Sequence, residues 1–354
     1  MASVSLRGDA GDLLKYVGLS TVAAGLLLVL LSRRERRKRT ATERSVVFVT
    51  GCDSGLGFNV AKQCHRLGFT VFAGCLNVDS EGASLLKEGC KETGRLVVLP
   101  LNITLEESIM IAHKMVKDFL ARKPDYEFYA LINNAGVMCF GEFEWQLAQH
   151  IEQQIGVNLL GTMKVTKAFL PLIRRQRARL INVTSHCSLQ ALPGLSVYSA
   201  SKAALRYWNE ALRMELSYHG VDVVNFIPGS LVMQTNISAN QQVYATEMAA
   251  GFSEEQRDYY GSYFEEYNAY LSFISGVKPV QSLPDDHFVV KGFTNALLDD
   301  KPALVYKCEP WRYKMYHFLF RNTPVGVSDW LVRKFITLPV YKPPHPKETE
   351  VHHK

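Results

Sequence analysis

The run Ser45-Val46-Val47-Phe48-Val49-Thr50 passes directly into Gly51-Cys52-Asp53-Ser54-Gly55-Leu56-Gly57. A short, apolar, β-branched run of this kind predicts a buried parallel strand. Apolar residues at helical spacing follow, at Val60, Ala61, Cys64 and Leu67, and predict a helix. In mid-loop the three glycines would mark an ordinary turn. Between a strand and a helix they predict a backbone that turns tightly and presents the free N–H groups and positive dipole of a helix N-terminus, a place for a pyrophosphate. Further aliphatic runs alternate with amphipathic helical stretches along the chain, which predicts one doubly wound parallel sheet with helices on both faces. The 354 residues are enough for a single large core of this type, spanning 44–300.

A second pattern carries chemistry. Tyr198 and Lys202 stand four residues apart, with Ser185 thirteen residues before the tyrosine. Four residues is about one helical turn, so the phenol and the ammonium share a helix face. A nearby ammonium favours the phenolate and lowers a tyrosine pKa from about 10. Such a tyrosine can exchange a proton with an alcohol or ketone, and the serine hydroxyl could hold the substrate oxygen. Alone, the pair is common on solvated helix faces. His186 and His150 invite a serine hydrolase, but His186 is the strand neighbour of Ser185 and points the other way, and no Gly-x-Ser-x-Gly elbow surrounds the serine. No cluster of His, Cys or carboxylate has metal-ligand spacing along the chain, so no metal is expected.

Taken in order, Thr50-Gly51-x-x-x-Gly55-x-Gly57, Asn133-Asn134-Ala135-Gly136, Asn158, Ser185, Tyr198-x-x-x-Lys202 and Pro228-Gly229 resemble the short-chain dehydrogenase/reductase family. The spacing departs from the Gly-x-Gly-x-x-Gly of other dinucleotide folds. The stretches Thr50–Gly55, Val71–Leu76 and Lys167–Arg175 resemble the branch of membrane-bound retinol and hydroxysteroid dehydrogenases and 3-hydroxybutyrate dehydrogenase. The resemblance implies a Rossmann-type fold and a nicotinamide cofactor held by Gly51, Asp53, Ser54, Gly55, Leu56, Gly57, Asn134, Ala135 and Gly136. It implies that Asn158, Ser185, Tyr198 and Lys202 are catalytic. Lys202 would also hold the nicotinamide ribose, and Asn158 a water linking Lys202 to solvent. Pro228 and Gly229 would shape the nicotinamide pocket, and Thr235 would contact the carboxamide. Asn102 stands where the family usually has an aspartate facing the adenine.

Charge argues for NAD over NADP. The end of the second strand should approach the adenosine ribose, where an arginine would hold a 2′-phosphate. The chain has Cys75 in the usual acid position, no basic residue at Ser54, Leu76 or Asn77, and repelling carboxylates at Asp53 and Asp79. The seven cysteines are odd in number and lie mostly in apolar runs. Several of them thus suit buried free thiols, and the set fits a reducing compartment better than a disulfide framework.

Tyr16–Ser32 is apolar and is followed by Arg33-Arg34-Glu35-Arg36-Arg37-Lys38-Arg39, which supplies much of the net charge of +6. Residues 1–32 therefore read as a signal anchor and 33–43 as a basic linker, with the catalytic domain facing the cytosol. The endoplasmic reticulum fits this, with a mitochondrial membrane as the alternative. Residues 301–341 mix aromatics with cations and suit either an interfacial helix or an element packed on the domain. Residues 342–354 are polar and proline-rich and read as disordered. Between Asn236 and Ser275 lie Tyr244, Phe252, Tyr259, Tyr260, Tyr263, Phe264, Tyr267 and Tyr270, expected to wall a site for a steroid- or retinoid-sized alcohol. A small hydroxy acid is the alternative and would need a cationic guard, for which only Arg257 and Lys278 are near in sequence. No nucleic acid is expected as a partner. The resemblance implies a homo-oligomer, and a non-catalytic nucleotide- or lipid-binding scaffold stays open.

Overall fold

The computed structural model describes residues 37–341 of the 354. The expected anchor at 1–32 and tail at 342–354 lie outside the described residues. Among those described, no helix is long and apolar enough to cross a membrane. Among the described residues, Arg37–Arg39 and Asp299–Lys301 group as one small unit, and Thr40–Leu298 with Pro302–Tyr341 as the main body.

The main body is built on seven parallel strands: β1 (Ser45–Thr50), β2 (Thr70–Cys75), β3 (Leu96–Pro100), β4 (Glu127–Asn133), β5 (Arg179–Val183), β6 (Val223–Ile227) and β7 (Val305–Lys307), in the order β3-β2-β1-β4-β5-β6-β7. The sheet's last strand thus lies past the domain boundary expected at residue 300. Every residue of β1 is buried, because the sheet is covered on both faces. Val47 and Val49 point into one core layer with α1 (Gly55–Arg66), α2 (Glu81–Gly89) and α9 (Phe288–Leu298). Val46 and Phe48 point into the other, with α3 (Glu106–Arg122), α5 (Thr162–Gln176) and α6 (Ser196–Ser217). This alternation is why the strand reads as an unbroken apolar run. All seven cysteines are free and buried, as the apolar runs predicted for several of them.

Strand order reverses between β1 and β4, and the crevice beyond their carboxyl ends is where ligands bind in open α/β sheets. Buried amides hold those ends together. Asn133 Nδ2 donates to Asn182 Oδ1 at 2.8 Å and to Thr166 Oγ1 at 2.9 Å, and Asn182 Nδ2 donates to Asn209 Oδ1 at 2.6 Å. Such a network is stable because each buried donor has a partner.

Two further layers cover the crevice. One contains α7 (Gln241–Gly251) and α8 (Glu254–Leu271), packed around the buried ring of Trp145. The other is α10 (Trp311–Asn322) and α11 (Val325–Phe335), joined through Phe320 and Phe335 at a ring separation of 5.6 Å. Phe320 and Val332 of this segment are buried, while Trp311, Phe318 and Trp330 are exposed.

Candidate active site

Hydrogen bonds to the two residues after β4 hold the glycine turn in place. Asn134 Nδ2 donates to the carbonyls of Thr50 and Gly51, each at 3.0 Å, and Thr50 Oγ1 accepts from the N–H groups of Asn134 and Ala135. A Cβ on Gly57 would fall 1.9 Å from the Gly51 carbonyl oxygen and 2.4 Å from Asn134 Nδ2, so only glycine fits there. Ser54 precedes α1 without capping it, and the first turn holds no acidic side chain. The leading N–H groups of α1 therefore remain available to an anion. Asp53 sits at the end of β2, where its carboxylate accepts from the N–H groups of Leu76 (3.0 Å) and Asn77 (2.7 Å). Cys75 is fully buried in the core, so Asp53, not position 75, supplies the carboxylate at this strand end. These groups fit a dinucleotide: a cradle closed to any side chain, an uncapped helix N-terminus and one acid at the adenosine end.

Every residue expected to be catalytic or to hold the cofactor, except Asn158, lines one cavity of about 1150 Å³. Asn158 lies behind it, fully buried, in a short π-helical stretch (Gly156–Gly161) between α4 (Ala148–Ile155) and α5. Its side chain accepts from Val137 N–H at 2.8 Å and donates to the Val137 carbonyl at 2.9 Å and to Ser201 Oγ at 3.0 Å. Asn102 closes an Asx-type turn by accepting from Thr104 N–H and Oγ1 at 3.0 and 2.7 Å.

Tyr198 and Lys202 lie one turn apart on α6, and both are buried. Lys202 Nζ sits 5.9 Å from the centroid of the Tyr198 ring and donates to the Val183 carbonyl at 3.3 Å. It therefore stands over the ring. The sequence spacing predicted a phenol pKa pulled down by the ammonium. Instead, burial dominates and raises it, with a smaller opposing effect from the Ser185 hydroxyl. Burial also lowers Lys202 to about 8. The Ser185 hydroxyl accepts from Cys187 N–H at 3.1 Å. His186, next in sequence, is kept neutral by burial, with a pKa lowered to about 3.

The outer part of the cavity differs from the expected aromatic wall. Tyr244, Phe252, Tyr263, Phe264 and Tyr267 turn inward on Trp145 as a core of their own. Of the aromatics expected, only Tyr270 lines the cavity. The wall comes instead from Met138, Phe140, Leu192 and Ile237, and from α10 and α11 through Tyr313 and Phe335. Lys278, weighed as a cationic guard, has its ammonium on the carbonyls of Val232 and Ile274. Arg312 and Lys334 line the cavity in its place, an arrangement invisible until the terminal helices fold back over the sheet.

The family model for short chain dehydrogenases matches residues 45–243, more than half of the chain. The chain belongs to this family. It is similar to mouse (Mus musculus) estradiol 17-beta-dehydrogenase 2, 33% identical over 327 residues covering 91% of this chain and 82% of that protein. It is also similar to mouse mitochondrial D-beta-hydroxybutyrate dehydrogenase, 31% identical with 82% and 84% covered, and to mouse retinol dehydrogenase 7, 34% identical with 86% and 93% covered. A short chain dehydrogenase/reductase from Burkholderia phymatum, solved in complex with NAD, shares the fold at a TM-score of 0.61 and 19% identity, covering 80% of this chain and 94% of that one. The enzyme is a nicotinamide-dependent oxidoreductase of CH–OH groups.

Proposed function

We propose that this dehydrogenase interconverts a lipophilic alcohol and its carbonyl form, of steroid or retinoid size, using NAD. One observation carries the reading: the buried Tyr198 and the Ser185 hydroxyl line a single cavity that runs from the glycine cradle to an apolar outer wall. A volume of about 1150 Å³ exceeds the roughly 300–1,000 Å³ typical of one small ligand, as a site for cofactor and substrate together must. The names of the estradiol and retinol relatives point to the same substrate class. When bound, the nicotinamide accepts or returns a hydride. Gly51–Gly57, Asn134–Gly136 and Thr235 would hold it. Tyr198 exchanges the proton with the substrate oxygen, and Ser185 orients that oxygen. Lys202 places positive charge over the ring, where it opposes the burial that disfavours the phenolate. Asn158 fixes the Val137 backbone and Ser201 behind Lys202. Asp53 supports NAD, because a 2′-phosphate would meet its carboxylate with no cation at 54, 76 or 77. A kcat/KM that favours NADP would overturn the cofactor choice.

Arg312 and Lys334 favour a second reading, a hydroxy acid whose carboxylate meets the outer wall, in keeping with the name of the hydroxybutyrate relative. A panel of steroids, retinol and 3-hydroxybutyrate, with purified full-length enzyme and either cofactor, separates the two. Turnover of steroid or retinol supports the first reading, and turnover of 3-hydroxybutyrate alone overturns it. Membrane anchoring through the apolar segment before Arg33 belongs to the same proposal. Extraction of the protein by alkaline carbonate from isolated membranes would refute it.

A further inference from the structure

His186, Glu309 and His317 converge beside the catalytic serine from three separate parts of the chain. His186 follows Ser185 in the loop after β5, Glu309 follows β7, and His317 is on α10. One nitrogen from each ring and a Glu309 oxygen lie within 4.8 Å of one another. Glu309 Oε2 is 2.7 Å from His317 Nδ1 and 3.3 Å from His186 Nδ1. The carboxylate is 4% exposed and the two histidine side chains 13% or less. Both ring nitrogens of His186 are buried without a hydrogen-bond partner, and a buried polar group in that state needs an explanation. The two rings stack at 4.4 Å and turn their Nδ1 atoms toward one oxygen. Two imidazoles and one carboxylate are a ligand set suited to zinc, with a fourth position left for water. Both histidines line the cavity, so water can reach that position.

We propose that His186, Glu309 and His317 form a zinc-type divalent metal site that ties α10 to the loop carrying Ser185. Spacing along the sequence gave no hint of it, since the ligands meet only when the last strand and α10 pack against β5 and its loop. The bound ion would replace the proton between His317 Nδ1 and Glu309 Oε2, draw the ring nitrogens toward about 2.0–2.1 Å from the metal, and hold α10 over the cavity. The proposal is independent of which alcohol is the substrate. The test uses full-length protein stripped of metal with chelator and then titrated with Zn²⁺, following bound metal by elemental analysis and the thermal midpoint by fluorescence. Wild type should retain one zinc per chain and melt higher with it, because a ligand bound only by the folded state stabilises that state. H186Q, E309Q and H317Q each remove one ligand and should weaken binding by more than about 100-fold, since losing an outer-sphere partner alone weakens a site by about 10–100-fold. His345, His352 and His353 remain in every variant, so tail binding cancels. Cobalt substitution should give the absorption of a tetrahedral N/O site in wild type only. Wild type that retains no zinc, or any folded single variant that keeps wild-type affinity, overturns the proposal.

Discussion

Burial sets the charge states of the two central residues, and the sign of its effect is testable at Lys202. Its ammonium is disfavoured to a pKa of about 8 against an ordinary 10.5. Below pH 8 the group is charged in both folded and unfolded chains, so the folded protein bears the whole burial penalty. Between 8 and 10.5 the unfolded chain binds more protons than the folded one, and stability rises with pH. K202M removes the penalty, worth up to about 3 kcal/mol. At pH 7 it should be at least as stable as wild type in urea, and its stability should lose the rise above pH 8, while turnover falls by about 100-fold or more. A K202M protein markedly weaker than wild type at pH 7 would show that the ammonium is a structural asset. Y198F keeps the buried ring and removes the proton-exchanging hydroxyl. It should fold normally by circular dichroism and lose turnover by about 10²–10⁴-fold, whereas a non-catalytic scaffold would bind nucleotide as before. The pairing of these residues was legible from their four-residue spacing. The state of the phenol was not, because spacing says nothing about how dry the surroundings of α6 become.

The glycine turn and the aromatic layer of α7 and α8 make opposite predictions for the same substitution. G57A would drive a methyl into the Gly51 carbonyl and Asn134 Nδ2. Both belong to the hydrogen-bonded junction of β1 and β4, so the cradle must deform. Nucleotide affinity in an equilibrium titration should fall by at least about tenfold, equivalent to about 1.4 kcal/mol. G261A lies inside α8, where a Cβ meets nothing within 4 Å. There alanine favours the helix by up to about 1 kcal/mol, so the urea midpoint should rise while nucleotide affinity holds. The strands and α1 were legible because each has one dominant pattern: unbroken β-branched runs for strands covered on both faces, and helical spacing after the glycines. The aromatic layer was not, because aromatics occupy both faces of α8. Tyr263, Phe264 and Tyr267 are buried while Tyr259 and Tyr270 are exposed, and no periodicity marks which face looks at Trp145. Asn158 was legible only through the family resemblance, since nothing in its neighbours signals the π-helical stretch that turns its amide onto Val137.

At the scale of the whole molecule, the cavity is the meeting place of a nucleotide-binding sheet and two covering layers that answer to different residues. Trp145 is the centre of one, in edge contact with Tyr260, Tyr263, Phe264 and Tyr267. W145A should destabilise the protein by about 3–5 kcal/mol and raise the KM for alcohol more than that for cofactor, because the glycine cradle lies outside this cluster. The other layer is α10 and α11, whose contribution was hidden because no local pattern says that a terminal segment returns to a site formed mainly by residues 51–237. It brings Arg312 and Lys334 to a wall that is otherwise largely apolar, and this juxtaposition decides between substrate classes. Neither cation is a strand or core element, and both are exposed, so reversing them leaves the fold intact. In R312E/K334E a substrate carrying a carboxylate meets two repelling charges where it met two attracting ones. Even partly screened by solvent, that change of sign should raise its KM by about tenfold or more, about 1.4 kcal/mol. A neutral steroid or retinoid alcohol has no charge for the wall to sense, and its kcat/KM should move by less than about threefold. The ratio of the two effects, measured on one preparation, reads out which chemistry the outer wall was built to select. An equal loss for both substrates would mean that the cations merely hold α10 and α11 in place.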